Sequence, residues 1–286
     1  MVCGLFGRTR QAWYKHRWRE DTTDIRDTVI LKQVQELRQD IPRIGTRKLL
    51  HLLSPVLQQH KIEIGRDKFF DLLAAHNMLV RRRKRRKAIT TDSNHPFYKY
   101  PNLVKDIEPH RPDHIWVSDI TYLRQVGGFS YLSLVTDAYS RKIVGYCLYP
   151  TLERAGPIKA AQMAIANCSR NNNQPLIHHS DRGLQYCCAD YVSLMGKHGI
   201  TISMTEKGSP YENAIAERMN GILKHQLGLK RTFANFTEAQ QAVDKAITAY
   251  NNLYPHGSCN YLTPEQAHKQ TGKLTSKWKQ NNQEHL

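Results

Sequence analysis

Two aspartates in the second half of the chain lie where carboxylates can do chemistry. Asp119 falls in a segment rich in β-branched and aromatic residues and shares the parity of Ile115 and Val117, so we expect it on a half-buried strand face. A charge there is costly unless it is paired or bound to a cation. Asp181 follows a short predicted strand and precedes Gly183, at the strand end where open sheets place their sites. Either aspartate alone is more often a turn or capping residue.

A third carboxylate, Glu217, lies on a helix predicted over residues 210–227. The segment 209–212 has the pattern of a capping box with Pro at the first helical position, which gives Glu212 a structural role. Three more polar residues share the face of Glu217: Asn213, Asn220 and Lys224. Such a row either presents polar chemistry or is an ordinary solvated face, and the helix pattern alone leaves both interpretations open. Lys224 is expected to face solvent.

The elements that must position these side chains follow an α/β pattern. Strands are predicted at 115–123, 129–136, 142–148, 176–179 and 200–203. Helices are predicted at 158–167, 186–198, 210–227 and 236–252, before a polar tail over 273–286. Short connections between the first three strands predict an antiparallel meander. The order βββαβαβα then predicts a mixed sheet flanked by helices.

The first third of the chain is predicted to be helical and is strongly basic. Residues 1–100 contain 22 Lys and Arg against 10 Asp and Glu, so they contribute +12 to the net charge of +17. This excess predicts a polyanionic partner, with a solvated basic surface as the alternative. Helix starts are predicted at 22–24, at 45–46 and after Gly65, and Pro55 is expected to interrupt or kink the second helix. The last two helices fit a helix-turn-helix, a weak signal because many small helical domains share it.

Candidate DNA contacts follow from this charge. They are Arg47, Lys48, Arg66 and Lys68, and the basic run Arg81, Arg82, Arg83, Lys84, Arg85, Arg86 and Lys87. The predicted organisation is a helical DNA-binding region over 1–87, a linker over 88–105, a catalytic core over 106–235 and a C-terminal helical segment with its tail over 236–286.

Composition excludes several other classes of protein. No run of about 18 apolar residues exists, so no membrane-spanning helix is expected, and the first residues lack a secretory cleavage pattern. The six cysteines form no Cys-x-x-Cys pair, so we expect reduced thiols in a cytoplasm.

Three segments resemble bacterial insertion-sequence transposases, close to the second-reading-frame product of the insertion-sequence-three family, which shares its catalytic core with retroviral integrases. The segments are 116–122, 178–186 and 209–217. Between Asp181 and Glu217 lie 35 residues, the spacing of the family's acidic triad, and Lys224 also matches. The segments 45–49, 77–80, 246–251 and 262–265 resemble other parts of the family. The chain departs from the pattern at Glu212, where Asp is usual, and at Tyr254, where Arg is usual.

The resemblance implies an α/β, ribonuclease-H-like core preceded by an all-α helix-turn-helix region. It also implies that Asp119, Asp181 and Glu217 are catalytic and hold two Mg²⁺ ions, with Mn²⁺ able to substitute. Close carboxylates repel one another, and hard cations relieve that conflict. Water would then nick the transposon end, and the freed 3′-OH would join another strand. Lys224 and Asn213 would contact DNA.

The implied partners are double-stranded DNA, as terminal inverted repeats and target, the upstream-frame product and further copies of the chain. The implied location is the bacterial cytoplasm, at the nucleoid. Two alternatives remain from the sequence. One is a DNA-binding regulator with an inactive core, and the other is a structure-specific nuclease that cuts without joining.

Overall fold

The computed structural model describes residues 9–80, 96–105, 107–169, 174–206 and 213–275. It divides into two compact units, Met1–Arg83 and Lys84–Leu286. The basic run over 81–87, the predicted capping box over 209–212 and most of the polar tail therefore lie outside the described residues. In the part of the chain that is described, no helix is long and apolar enough to cross a membrane.

The described part of the first unit contains three helices, α1 (Arg10–Asp40), α2 (Thr46–Gln59) and α3 (Arg66–Ala75). Helices α2 and α3 begin directly after Gly45 and Gly65, which confirms those two predicted starts. The predicted start at 22–24 is wrong, because these residues lie inside α1. No Gly or Pro occurs within α1, so cap-forming residues alone do not end the helical hydrogen bonding there. Helix α2 continues through Pro55 for another turn.

The second unit is built on a six-stranded mixed sheet. Its strands are β1 (Ile115–Gln125), β2 (Gly128–Asp137), β3 (Ile143–Tyr149), β4 (Leu176–Ser180), β5 (Ile200–Met204) and the short β6 (Thr232–Phe233). The order is β3-β2-β1-β4-β5, with β6 on β1. Strands β1, β2 and β3 are antiparallel neighbours, whereas β4 and β5 are parallel to β1. The predicted meander and mixed sheet are both confirmed.

Helices cover both faces of this sheet. They are α4 (Ala155–Ala166), α5 (Leu184–Cys187), α6 (Ala189–Lys197), α7 (Ala214–His225), α8 (Phe236–Leu253) and α9 (Pro264–Ala267). Trp116 of β1 belongs to the larger buried cluster, which includes residues of α4 and α6. Ile115 and Val117, of opposite parity, pack instead with Ala216 of α7. Strand alternation thus assigns α7 to the face that also bears residue 119.

Strand β4 pairs with only the first part of β1, and this short pairing leaves room for α7. The parallel register joins Ile115–Val117 to 177–179 and ends there. Strand β6 pairs with β1 only from Arg124 onward. In the gap, Asn213 at the start of α7 donates its side-chain N–H to the main-chain oxygen of Ser118 at 3.0 Å. Helix α7 is thereby fixed beside the middle of β1.

Three details of the second unit were not predicted. The helix predicted over 186–198 is two helices, because Cys188 has extended backbone angles, φ −70° and ψ 148°. Helix α7 begins at Ala214, with Asn213 as its N-cap. Strand β6, helix α9 and a 3₁₀ turn at Gly257–Cys259 are too short to produce a periodic pattern.

Gly145 of β3 should tolerate no side chain. A Cβ there would overlap the main-chain oxygen of Ala160 and lie 2.7 Å from the nitrogen of Ala164, so strand and helix α4 would have to separate. We expect Gly145→Ala to lower the free energy of unfolding by about 1–3 kcal/mol or more. Gly196 of α6 is the matched control, since a Cβ there meets nothing within 4 Å. Gly196→Ala should be neutral or slightly stabilising in the same denaturant titration.

Candidate active site

Asp119 is a half-buried carboxylate in the middle of β1. One of its oxygens, Oδ1, accepts a hydrogen bond from the main-chain N–H of Ile120 at 2.9 Å. The other, Oδ2, accepts one from the side-chain amide of Asn220 at 2.6 Å. Strand β1 and helix α7 therefore both hold this carboxylate in place.

Burial raises the pKa of Asp119 to about 7, and the charge of Asp181 contributes to the increase. The hydrogen bonds from Ile120 and Asn220 act in the opposite direction, and the charge of Glu217 adds a smaller increase. Asp181 and Glu217 therefore both lie within electrostatic range of Asp119. Neighbouring carboxylates disfavour the ionised form of one another, and the resulting pKa shifts are frequent at functional sites.

Asp181 lies directly after β4, at the carboxyl end predicted from the sequence. Its Oδ1 accepts the main-chain N–H of Gly183 at 3.0 Å. A Cβ at position 183 would lie 3.0 Å from the same oxygen, so glycine is the residue that lets the chain turn beneath this carboxylate. The Asp-x-Gly spacing is thus part of the site.

Glu217 is exposed in the first turn of α7, where its main-chain N–H donates to the oxygen of Asn213 at 3.1 Å. The first turn of a helix favours negative charge because unpaired N–H groups point that way. Within the described ranges, no three His, Cys, Asp or Glu side chains come close enough together to hold a metal ion. The structure therefore brings the triad into one neighbourhood without gathering it around one point.

The polar row on α7 is not an ordinary solvated face. Asn213 and Asn220 are both buried, at 7% and 8% exposure, and each uses its amide N–H to hold β1. Their Oδ1 atoms have no hydrogen-bond partner among the described residues. Asn220 is the supporting residue that sequence reasoning left without a role, although its offset of three from Glu217 could have indicated one.

Lys224, on the last turn of α7, does not face solvent as expected. Its Nζ lies 4.4 Å from the centroid of the Tyr122 ring, a cation–π contact. Burial lowers the pKa of Lys224, whereas the charge of Asp119 raises it and that of Lys230 adds to the lowering. This lysine therefore lies between the acidic site and an aromatic surface.

A buried neutral histidine supports the two strands that carry the aspartates. His178 of β4 has Nε2 at 2.7 Å from Oγ of Ser118 and at 2.9 Å from the hydroxyl of Tyr191. Burial lowers the pKa of His178 to about 3, so the ring is neutral near pH 7. Ser118 immediately precedes Asp119, and His178 lies three residues before Asp181. The contact fixes β1 and β4 relative to each other just beneath the site.

The predicted DNA contacts of the first unit lie on α2 and α3. Arg47 and Lys68 are exposed, and Lys48 is half-buried. Arg66 is exposed and forms an ion pair with the adjacent Asp67 at 2.8 Å. The contacts predicted in the basic run at 81–87 fall outside the described residues.

The chain is similar to known integrase cores and insertion-sequence proteins. Two models of the integrase core domain match, over residues 109–210 and 198–264. The insertion element IS600 uncharacterized 31 kDa protein of Shigella sonnei is 31% identical over 269 residues, which cover 92% of this chain and 96% of that protein. The transposase InsF for insertion sequence IS3A of Escherichia coli (strain K12) is 35% identical over 165 residues, 57% of each chain. Among solved structures, the HTLV-2 integrase catalytic core domain in complex with magnesium aligns with a TM-score of 0.44 at 22% identity, covering 55% of this chain and 97% of that one.

The sequence matches and the acidic site on a mixed sheet define a DDE-type enzyme of the transposase and integrase class. More specifically, the chain belongs to the IS3 family of insertion-sequence transposases. It is a DNA transposase.

Because of Asp119, we expect the free energy of unfolding to decrease as the pH rises. Its pKa is about 7 in the folded chain and about 4 when unfolded, so the folded state binds the extra proton between these values. Stability contributed by the protonated form is fully present below about pH 4 and is lost as the pH rises to about 7. Asp119→Asn should therefore gain about 2–4 kcal/mol relative to the native chain across that range. Denaturant unfolding without added metal measures this difference.

Asp190→Asn is the matched control, because this carboxylate is exposed on α6. It should change stability by a similar small amount at every pH. A constant difference between Asp119→Asn and the native chain would show that Asp119 is not held in a desolvated position.

Proposed function

We propose that Asp119, Asp181 and Glu217 are the catalytic residues and that they hold Mg²⁺ for cleaving and joining DNA strands. The observation that supports this most directly is the raised pKa of Asp119, which arises from burial and from the neighbouring charges of Asp181 and Glu217. A protein that keeps three carboxylates in one neighbourhood needs a counter-charge. Carboxylate oxygens are the ligands that hard divalent cations prefer.

The chemistry of the residues present fits such a cation, although the three carboxylates are not gathered around one point in this structure. The three side chains offer only carboxylate oxygens as metal ligands. The side-chain amide of Asn220 donates a hydrogen bond to one oxygen of Asp119. Two Mg²⁺ ions, or Mn²⁺ in their place, would activate the attacking oxygen and stabilise the leaving one during phosphoryl transfer. Asn220 and the Ile120 N–H would keep the Asp119 carboxylate oriented, and the Gly183 N–H would do the same for Asp181.

We assign the core to the ribonuclease-H-like fold because of its strand order, β3-β2-β1-β4-β5.

The remaining polar residues of the site are assigned supporting roles. Lys224 would hold a backbone phosphate beside the carboxylates, since its ammonium is within electrostatic range of Asp119. Asn213 was proposed from the sequence as a DNA contact. It is buried at the start of α7 and donates a hydrogen bond to β1, so we assign it a positioning role instead.

The reaction proposed is nicking of the insertion-sequence ends by water, followed by attack of the freed 3′-OH on another strand. The partners are terminal inverted repeats and target DNA, and the chain is proposed to act as a homo-oligomer with the upstream-frame product, at the nucleoid in the cytoplasm. The helix pair α2–α3 is proposed as a helix-turn-helix that contacts duplex DNA through Arg47, Lys48 and Lys68, because α3 follows α2 after a six-residue connection and both expose basic side chains.

Single isosteric substitutions of the triad test the catalytic assignment. Asp119→Asn, Asp181→Asn and Glu217→Gln should each reduce nicking and joining of labelled end DNA in Mg²⁺ by at least about a hundred-fold, since each removes a charged ligand worth several kcal/mol in the transition state. Binding of the DNA should survive. The control is Glu153→Gln, which replaces an exposed carboxylate just before α4 by a carboxamide. This variant should retain activity.

The products of the native chain separate the three functions considered. Joined strands support the transposase reaction, a cut product without joining supports a nuclease, and neither product supports a non-enzymatic regulator. Near-normal joining by Glu217→Gln would contradict the proposed triad.

Salt dependence tests the role of the first unit. Replacing Arg47, Lys48 and Lys68 together by Ala in the full chain should weaken binding to all duplex sequences. The slope of log K against log salt should become shallower by about 0.9 for each DNA phosphate that the variant no longer neutralises. Lys197→Ala, an exposed lysine on α6, is the control and should leave the slope unchanged. An unchanged slope in the triple variant would contradict duplex binding through α2 and α3.

A further inference from the structure

A row of aromatic rings and cations lies on the second unit beyond the acidic site, and the proposed reaction does not use most of it. We name it the cation–aromatic strip: Tyr122, Arg124, Phe129, Lys224 and Lys230. Tyr122 and Phe129 are 42% and 45% exposed, which is unusual for large rings on a sheet. Such exposed rings beside cations indicate a binding surface.

The sheet register explains how the strip is assembled. Arg124 of β1 lies directly opposite Phe129 of β2, and Tyr122 is the diagonal neighbour of Phe129. The Tyr122 and Phe129 rings meet edge to face with their centroids 5.4 Å apart. The guanidinium of Arg124 lies 5.7 Å from the Phe129 centroid. The two rings and this cation form one continuous surface on the β1–β2 hairpin.

Helix α7 and the segment after it add the other cations. Lys224 lies over the Tyr122 ring at 4.4 Å, and the main chain of Lys230 returns to donate to the oxygen of Lys224 at 3.0 Å. Two lysines held within electrostatic range of each other favour an anion beside them.

We propose that this strip binds an unpaired stretch of the DNA strand that leaves the active site, with a base stacked on Tyr122 and Phe129 and the phosphates on the cations. Tyr122 lies three residues beyond Asp119, about 10 Å along the strand. By strand alternation, the side chain of Tyr122 leaves β1 on the face opposite Asp119. Lys224 connects the two faces, because it is within electrostatic range of Asp119 and its Nζ also lies over the Tyr122 ring. Exposed rings interleaved with basic residues are the pattern that binds single-stranded nucleic acid, because every base has a face that stacks.

The charge of the strip favours nucleic acid over a protein partner. Three of its five residues are cations: Arg124, Lys224 and Lys230. An apolar docking surface for a second copy of the chain would not need this charge. The inference rests on the proposed function, because it assigns the strip to the strand being cut and joined.

The test uses the full chain and an end duplex that carries the fluorescent base 2-aminopurine next to the joining position, either fully paired or with its last three base pairs mismatched. Stacking on a ring should quench the fluorescence when protein binds without Mg²⁺, so the readout does not depend on catalysis. Tyr122→Leu and Phe129→Leu should each lose this quenching and weaken binding of the mismatched end by about ten-fold. Tyr122→Phe should keep both, because the ring and its cation–π contact remain.

Val126→Ala is the matched control, since Val126 is apolar and 73% exposed on the same hairpin. It should leave quenching and affinity unchanged. Equal quenching by Tyr122→Leu, Phe129→Leu and the native chain would overturn the proposal. Loss of a dimer on gel filtration by the Leu variants, with quenching intact, would assign the strip to a second copy instead.

The outcome is separable from the proposed function. A native chain that joins DNA while the Leu variants bind and quench normally would refute only the strip. A native chain that shows quenching without any cleavage in Mg²⁺ would refute the catalytic assignment and leave the strip supported.

Discussion

Asp119 is half-buried within electrostatic range of two other carboxylates. This placement costs free energy, and the second unit is organised around that cost. Burial and the charges of Asp181 and Glu217 all raise the pKa of Asp119. Among the described residues, the N–H groups of Ile120 and Asn220 donate to this carboxylate and stabilise its ionised form. Stability is thereby exchanged for a local concentration of negative charge, a trade-off that is often found where proteins do chemistry.

Strands β4 and β6 pair with the two ends of β1 and leave the middle of that edge to helix α7. If β4 had paired along the whole of β1, main-chain hydrogen bonds would have filled the edge and α7 could not have approached. Because the pairing stops at Val117, Asn213 caps the oxygen of Ser118 and α7 brings Glu217 and Lys224 to the middle of the strand. Beneath it, neutral His178 joins Ser118 to Tyr191 without adding another charge.

The C-terminal segment supports the same core from β3 and α7. Asn251 of α8 accepts from the N–H of Ile143 and donates to its oxygen, each at 3.0 Å, so it occupies the edge of β3 as a neighbouring strand would. Tyr254, where the family usually has Arg, is buried and donates its hydroxyl to Gln226 at the end of α7 at 2.9 Å. This departure from the family pattern therefore has a packing role.

The mixed sheet and the order of its strands along the chain could be predicted from the sequence, because alternation and turn residues are local signals. The three candidate carboxylates could also be proposed from it, because the spacing from Asp181 to Glu217 is a linear signal. The burial of the polar residues on α7 could not be predicted in this way. Asn213, Asn220 and Lys224 look alike on a helix face, yet the first two hold β1 and the third lies over Tyr122. That difference depends on where β4 stops pairing with β1. The end of a strand pairing depends on contacts between residues about 60 positions apart, and no periodicity within either segment encodes it.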